Sequence, residues 1–206
     1  MNYIEIENEM KRTYNAIANQ YEKEAKEDWK NKKIVDEFLK YLNKNDTVLD
    51  IACGTGELLK YYESKDLKTY GIDISKNMIE IAKRKAPNST IITKSVYEIN
   101  KINKKFDGIS STFTLVHIPK EKINDFINNV RSILNDNGIF FILFTTNLKE
   151  GLQKEPLNSN YNYYVVNYSN KEIINILKNN GFEILKSGTD VINNLKVGLV
   201  IARKKL

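Results

Sequence analysis

Two residue types that build metal and redox sites are almost missing from this chain. Its 206 residues include one cysteine, Cys53, and one histidine, His117. A single cysteine excludes an internal disulfide bond, and one histidine with one cysteine cannot form a zinc or iron site rich in those ligands. A metal held by carboxylates alone has no signature in the sequence, so no metal is predicted.

Long apolar segments are also missing. The longest strongly apolar run covers 138–144 and is far too short to cross a bilayer. The N-terminal residues 1–9 are acidic and lack the apolar stretch of a secretory signal. No repeat or linker divides the chain, and its length suits one domain with a full core. We therefore expect a single domain over 1–206, no membrane partner and a cytoplasmic location.

Basic residues outnumber acidic ones, 32 to 26, which gives a formal net charge of +6. Such an excess is found in many nucleic-acid-binding proteins. The lysines are scattered, however, in short groups that include 30–33, 101–105 and 204–205. We interpret the excess as a solvated basic surface rather than a nucleic-acid footprint.

The apolar pattern is helical over about the first forty residues, which we interpret as an N-terminal cap over 1–45. Tyr14, Ile17 and Tyr21 share one helical face, and a second helix is predicted from about Trp29 to Leu42. Strands are then predicted at 47–52, 68–72, 89–94, 106–113 and 138–144, with helices at 57–64, 76–86 and 119–134. This alternation indicates parallel βαβ units.

Residues that begin and end helices support these bounds. Pro119 suits the first turn of a helix, and the Asn-Asp-Asn-Gly sequence at 135–138 is expected to end that helix and turn into the fifth strand. Ser169 and Glu172 have the spacing of a capping box, and Gly181 is expected to close the helix that they begin.

The C-terminal part predicts two more strands, at 182–187 and 195–202. The link between them is too short for a parallel crossover, so the last strand is predicted to be antiparallel to its neighbour. The segment 146–168 is a long connection rich in tyrosine. It is interpreted either as a lid or binding loop, or as an extra edge strand, since residues alternate well over 161–165.

Two glycines follow the first predicted strand. Gly54 and Gly56 leave bare backbone at the carboxyl end of that strand, where open parallel sheets bind ligands. The next strand ends at Asp73, a position suited to binding both hydroxyls of a ribose. A plain tight turn and a surface carboxylate are the alternatives. Together, the three residues predict a site for an adenosine-containing ligand.

A dinucleotide fits this loop poorly. Its fingerprint needs a third glycine, where this chain has Leu59. Asp50, shortly before the glycines, would repel a pyrophosphate and suits a ligand with a cationic end, such as an ammonium or a sulfonium.

Residues 50–56 read Asp-Ile-Ala-Cys-Gly-Thr-Gly, and 71–78 read Gly-Ile-Asp-Ile-Ser-Lys-Asn-Met. They resemble the first motif and the second-strand motif of the class I S-adenosylmethionine-dependent methyltransferases. The likeness continues through 106–119 and 134–144 and covers essentially 14–203. It implies a three-layer, Rossmann-like α/β sandwich with a seven-stranded, mostly parallel sheet and an antiparallel last strand.

The resemblance also implies roles for individual residues toward S-adenosylmethionine. Asp73 would hold the ribose, Ile74 and Met78 would pack on the adenine, and Ser95 and Val96 would edge that ring. The family often has an aspartate where Ser95 stands. The full set of implied cofactor contacts is Tyr14, Tyr21, Asp50, Ala52, Gly54, Gly56, Asp73, Ile74, Met78, Ser95, Val96 and Thr112.

Methyl transfer from a sulfonium depends mainly on alignment and exclusion of water, since the donor is already activated. A hydroxyl or carbon-acid acceptor also benefits from a base. His117, just past the fourth predicted strand, is the candidate, and a packed or hydrogen-bonding histidine is the alternative. The tyrosines of 161–168 are further candidates for contact with the acceptor.

The acceptor class follows from what is missing near the site. Residues 110–113 read Ser-Ser-Thr-Phe, not the motif that marks amino-group methylation of nucleic-acid bases and glutamine. Cys53 lies in the cofactor loop, so no cysteine is free to attack a pyrimidine. We predict a small-molecule methyltransferase, and the sequence carries no signal for its oligomeric state. A nucleotide-linked dehydrogenase and a non-catalytic module that binds S-adenosylmethionine or RNA are the alternatives.

Overall fold

The computed structural model describes residues 1–25, 32–192 and 194–206. Its helices are α1 (Tyr3–Ala25), α2 (Lys32–Leu39), α3 (Glu57–Glu63), α4 (Lys76–Lys85), α5 (Ile123–Ile133) and α6 (Asn170–Asn179). Its strands are β1 (Thr47–Ile51), β2 (Lys68–Asp73), β3 (Thr90–Thr93), β4 (Phe106–Thr112), β5 (Leu134–Thr145), β6 (Gly151–Lys154), β7 (Asn162–Val165), β8 (Phe182–Ile192) and β9 (Leu195–Lys204).

Seven strands form the main sheet, in the order β3-β2-β1-β4-β5-β9-β8. The strands β1 to β5 are parallel, and β9 runs antiparallel to both of its neighbours. This confirms the predicted seven-stranded, mostly parallel sheet with an antiparallel last strand. The chain reverses its direction of travel across the sheet between β1 and β4, and that switch point is where open sheets of this kind bind ligands.

Alternation along the strands divides the core into two layers. On β5, Phe140 belongs to an apolar cluster with Phe126 of α5, while the next residue, Phe141, packs on the opposite face. There the ring of Phe141 stacks on Phe38 of α2 at a centroid distance of 5.3 Å. Successive side chains on a strand point to opposite faces, so helices cover both sides of the sheet. The predicted three-layer α/β sandwich is confirmed.

The N-terminal region is helical, as predicted, but its second helix ends earlier than predicted. The described part of that helix begins at Lys32 and ends at Leu39, whereas the sequence predicted an end near Leu42. Trp29, the predicted start, lies outside the described residues. The chain turns after Leu39, so Tyr41, which the predicted helix would have included, lies beyond the helix and is exposed.

Two predicted bounds around α5 are wrong. The α-helix begins at Ile123, after a 3-10 turn over Lys120–Lys122. The predicted turn at 135–138 lies within β5, because Leu134 already pairs with Phe106 of β4. An irregular ladder accommodates this stretch, in which Asn137 has a φ of +61°.

The segment 146–168 holds a small sheet of its own. Strands β6 and β7 pair with each other as a two-stranded antiparallel sheet. The prediction of a strand over 161–165 is therefore confirmed, but its placement at the edge of the main sheet is wrong. The hydroxyl of Thr13 in α1 donates a hydrogen bond of 2.6 Å to the carbonyl oxygen of Asn162, so this small sheet contacts the N-terminal helix.

The predicted capping box begins α6, with the Ser169 side chain accepting from the Glu172 N–H and the Glu172 carboxylate accepting from the Ser169 N–H. Gly181 follows the helix with a φ of +78°, as expected for a glycine that ends a helix. Within the described ranges, no helix combines the length and apolarity that a membrane span requires.

Candidate functional site

A cavity lies at the carboxyl ends of β1, β2 and β4, beneath α1. Its empty volume is about 800 Å³, part of which is open to solvent. The predicted site residues in its wall are Tyr14, Tyr21, Ala52, Gly54, Asp73, Ile74, Met78, Val96, Thr112 and His117. Three predicted residues, Asp50, Gly56 and Ser95, lie outside that wall.

The two glycines after β1 do different things. Gly54 has a φ of +52°, and no heavy atom lies within 4 Å of the place a Cβ would take, so bare backbone faces the cavity. Gly56 has a φ of +85°, and a Cβ there would lie 2.9 Å from the Cα of Ala82. Gly56 therefore allows the start of α3 to pack closely on α4, while Gly54 leaves room for a ligand.

Backbone N–H groups hold the carboxylate of Asp73 in place. Its Oδ2 accepts from the N–H of Gly54 at 3.0 Å, and its Oδ1 accepts from the N–H of Ser75 at 2.8 Å. Burial raises the pKa of Asp73, and these backbone hydrogen bonds oppose that effect. Each oxygen retains capacity for a further hydrogen bond, which is the arrangement that binds two neighbouring hydroxyls.

Asp50 is buried beneath the loop rather than in the wall. Only 1% of its surface is exposed, and the Ser110 hydroxyl donates to its Oδ1 at 2.6 Å. Burial raises the pKa of Asp50 to about 7. Asp50 shares one face of β1 with Val48, because side chains alternate along a strand. That face packs on the layer that contains Tyr62, which directs the carboxylate into the core.

Ser95 also turns away from the cavity. Its hydroxyl donates a hydrogen bond to the carboxylate of Glu7 in α1 and accepts one of 3.0 Å from the Tyr97 N–H. The wall at this end is formed instead by Val96, Tyr97 and Glu7.

Helix α1 closes the cavity along one face. Glu7, Met10, Tyr14 and Tyr21 all line the wall and follow helical spacing. The same helix packs Ile17 and Ala18 against Met78 and Ile81 of α4. Asn15 fixes the helix further, since its side-chain oxygen accepts from the Ser75 hydroxyl at 2.9 Å.

His117 lies in the wall and connects it to the small β6–β7 sheet. Its Nδ1 lies 2.6 Å from the carbonyl oxygen of Tyr164, and because a carbonyl only accepts, we assign the ring proton to Nδ1. Nε2 then accepts from the Tyr14 hydroxyl at 2.7 Å. Burial lowers the pKa of His117 to about 4, so the ring is neutral. The histidine thus joins α1, the segment after β4, and β7.

Several wall residues were missed from the sequence. They are Glu7, Met10, Tyr97, Phe113, Thr114 and Ile118. A usable signal existed for the first two, since Glu7 and Met10 extend the stripe of Tyr14 and Tyr21 toward the N-terminus. Phe113 had no such signal. Its φ of +56° is unusual for a bulky residue, so the sequence did not indicate that the backbone would direct it to the cavity.

The charge of the wall is opposite to that of the chain. Its charged side chains, within the described residues, are Glu7 and Asp73, although the net charge of the whole chain is +6. The structure as described contains no cluster of histidine, cysteine and carboxylate side chains that could hold a metal ion.

S-adenosylmethionine suits this wall. It carries a sulfonium, an ammonium and one carboxylate, so its net positive charge suits a wall whose charged side chains are acidic, and the empty space over Gly54 admits a ligand against the backbone. A pyrophosphate would meet the same carboxylates without a cation in the described wall to balance them.

Comparison with known proteins agrees with this fit. A family model described as a methyltransferase domain matches residues 21–187. An uncharacterized methyltransferase of Alkaliphilus oremlandii is 29% identical over 160 residues, which cover 78% of this chain and 71% of that protein. The ubiquinone/menaquinone biosynthesis C-methyltransferase UbiE of Campylobacter jejuni is 27% identical over 155 residues, 72% of this chain and 65% of that protein.

A solved structure, the DhpI–SAH complex, has a TM-score of 0.77 and 19% identity, and the match covers 97% of each chain. At that identity the likeness shows a shared fold. Together with the family match over most of the chain, it identifies the protein as an S-adenosylmethionine-dependent methyltransferase of the class I, Rossmann-like fold.

Proposed function

We propose that this chain methylates a small molecule that binds in the cavity beneath α1, next to S-adenosylmethionine. The observation that carries the proposal is the cover over the cavity: α1 lines it and is held to the β6–β7 sheet by the Thr13–Asn162 hydrogen bond and through His117. A site covered in this way admits a small molecule more readily than a folded macromolecule.

The residues of the sheet edge would hold the cofactor. Ala52 and Gly54 offer backbone to its methionine portion, and Asp73 offers both carboxylate oxygens to its ribose. Ile74 and Met78 offer apolar surface to its adenine. The bound cofactor supplies a methyl group attached to a sulfonium, and loss of that methyl group leaves a neutral sulfide. Among the predicted contacts, we assign Asp50 and Gly56 to support of the loop from behind.

The protein's part in the reaction is to align the acceptor and exclude water. Tyr14, Phe113 and His117 line the cavity, and we assign them to contact with the acceptor. In-line transfer requires the acceptor atom to approach opposite the leaving sulfur, and a rigid aromatic wall restricts its approach.

His117 has a defined part for acceptors that lose a proton. Its Nε2 already accepts from the Tyr14 hydroxyl, so the acceptor proton would pass to the Tyr14 oxygen as the Tyr14 proton passes to Nε2. With a pKa of about 4, the ring is a weak base. We therefore assign it first to positioning Tyr14 and second to receiving this proton.

An uncharged or cationic acceptor suits the wall best. The described wall offers carboxylates and aromatic rings but no lysine or arginine to pair with an anion. The name of the UbiE relative, a C-methyltransferase of quinone biosynthesis, also supports a small acceptor.

The test is methyl transfer from S-adenosylmethionine with a labelled methyl group into three separate pools: small metabolites, RNA and proteins. We expect label in the small-metabolite pool, and less label there with the Asp73→Ala variant at a limiting concentration of S-adenosylmethionine. Label confined to RNA or protein would overturn the proposal. Titration calorimetry with S-adenosylmethionine, its demethylated product and NAD provides a parallel check, and binding of NAD alone would contradict the cofactor placement.

A further inference from the structure

Glu7 is an acidic side chain that α1 contributes to the cavity wall. It is held there by Ser95, the residue that follows β3 and Lys94, because the single proton of the Ser95 hydroxyl is donated to the Glu7 carboxylate. The Ser95 oxygen in turn accepts from the Tyr97 N–H. The carboxylate is therefore fixed at the β3 end of the cavity by a residue that does not reach the cavity itself.

The order of the wall along the sheet shows what lies near Glu7. Gly54 follows β1, Asp73 ends β2, and Val96 follows β3, and these strands are neighbours in the sheet. If the cofactor's methionine portion lies at Gly54 and its ribose at Asp73, the base continues toward β3. Met78 and Val96 supply apolar surface there, and Glu7 supplies a hydrogen-bond acceptor.

We propose that Glu7 accepts a hydrogen bond from the exocyclic amino group of the adenine, so that the N-terminal helix determines the base specificity of the cofactor site. This inference rests on the proposed cofactor placement. A carboxylate accepts about four hydrogen bonds, so Ser95 leaves Glu7 with capacity for the amino group.

The electrostatics of Glu7 fit this role. Burial raises the pKa of Glu7, while the hydrogen bond from Ser95 lowers it. An amino group brought by the ligand would add a second donor and so offset part of the burial. A base with a carbonyl oxygen at the same position would instead place two acceptors against each other, which leaves both without a donor.

The experiment compares two ligands by titration calorimetry: S-adenosylhomocysteine and its 6-oxo counterpart, S-inosylhomocysteine. For the unmodified protein, we expect the adenosyl ligand to bind at least about 30-fold more tightly, since a site built for an amino donor rejects its carbonyl analogue. For Glu7→Gln, we expect that ratio to fall to about threefold or less, because an amide can donate as well as accept.

Glu24→Gln is the matched control, since Glu24 is an exposed glutamate of the same helix. It should leave both affinities and their ratio unchanged. Glu7→Gln keeps an acceptor for Ser95, and thermal unfolding without ligand will show that α1 and the fold are retained.

Three results would overturn the inference. One is a ratio that stays unchanged in Glu7→Gln, whether or not both affinities fall together, because Glu7 would then be a structural part of the cap alone. Another is equal affinity of the unmodified protein for the two ligands. In either case the unmodified protein still binds S-adenosylhomocysteine, so the proposed function stands. If the unmodified protein binds neither ligand, the cofactor placement fails and the inference fails with it.

Discussion

The two walls of the cavity are held in different ways. On the sheet side, backbone N–H groups fix the carboxylate of Asp73, and Gly54 presents bare backbone. On the cap side, side chains make the links, through the Tyr14–His117 hydrogen bond and the contact of Thr13 with the small sheet. The sheet wall is thus part of the core, whereas the cap wall is attached to it.

This difference has an energetic consequence. The sheet wall cannot open without breaking strand pairing, so its opening requires global unfolding. The cap wall is held by a few hydrogen bonds and by a small apolar cluster of Ile17, Ala18, Met78 and Ile81. We expect α1 to separate from the sheet at a lower free energy than global unfolding, which would allow ligands to enter and leave.

The largest effect should come from adding one methyl group to the sheet wall. Gly56→Ala places a Cβ 2.9 Å from the Cα of Ala82 at a φ of +85°, so we expect a loss of about 3 kcal/mol in the free energy of unfolding. Gly54→Ala has no such neighbour and should cost about 1 kcal/mol of stability. Urea unfolding measures both.

The order of these two variants should be reversed when their affinity for S-adenosylmethionine is measured. The Gly54→Ala methyl group points into space that we assign to the cofactor, so its affinity for S-adenosylmethionine should fall more than that of Gly56→Ala. Equal stability losses, or a larger binding defect in Gly56→Ala, would contradict the division of roles between the two glycines.

The next largest effect concerns pH and the cap wall. The pKa of His117 is about 4 in the folded chain, below about 6.5 for an unperturbed histidine. As pH falls from 6.5 to 4, the unfolded chain binds the proton first, so stability is lost through that window and restored as pH rises. We expect a loss of about 2 kcal/mol from this group, allowing for its partial exposure.

The difference between the unmodified protein and His117→Gln isolates this effect. Asp50 changes the stability of the fold with pH in the opposite direction. Its pKa is raised to about 7, so its contribution to stability is present at low pH and is lost as pH rises through 7. Both proteins contain Asp50, so its contribution cancels in the difference. Parallel stability curves between pH 4 and 6.5 would show that His117 does not titrate as assigned.

Asp73→Ala tests the sheet wall as a ligand site. Removal of the carboxylate takes away the acceptors proposed for the ribose, so we expect S-adenosylmethionine to bind at least about tenfold more weakly. Circular dichroism should show an intact fold. Asp125→Ala, which removes an exposed carboxylate of α5, serves as the control, and an unchanged dissociation constant for Asp73→Ala would refute the ribose assignment.

The sheet wall was predictable from the sequence for a local reason. Gly54 and Asp73 lie at strand ends whose bounds follow from short apolar runs, and parallel strands bring such ends to one edge. Ile74 follows Asp73 directly and Met78 lies in the first turn of α4, so both reach the same edge of the sheet. Asp50 differs in direction: the sequence places it near the loop, and alternation on β1 turns its side chain toward the core behind the described wall.

The cap wall depends on contacts between distant parts of the chain. Glu7 meets Ser95, and Tyr14 meets His117, across separations of 88 and 103 residues. Neither pairing leaves a spacing pattern in the sequence. The alternation over 161–165 correctly indicated a strand, but only tertiary packing selects β6 as its partner rather than the edge of the main sheet.

Tyr14→Phe should have a moderate effect confined to the cap wall. It removes the hydroxyl that donates to His117 Nε2 and leaves that buried nitrogen without a donor, so we expect a loss of about 1 kcal/mol. Hydrogen exchange should quicken in α1 more than in β1 and β4. Tyr41→Phe, in an exposed turn, is the control, and equal exchange changes in the cap and the sheet would contradict a separately attached cap.

The smallest effect should be a gain of stability in the sheet wall. Ala52 has a φ of +55°, where a Cβ is strained by about 1 kcal/mol and glycine is not. Glycine also loses more entropy on folding, so Ala52→Gly should gain only about 0.5 kcal/mol. Ala86→Gly makes the same exchange at a φ of −125° and should lose stability instead. If both variants lose stability equally in urea unfolding, Ala52 stores no strain, and the sheet wall is as relaxed as the cap wall.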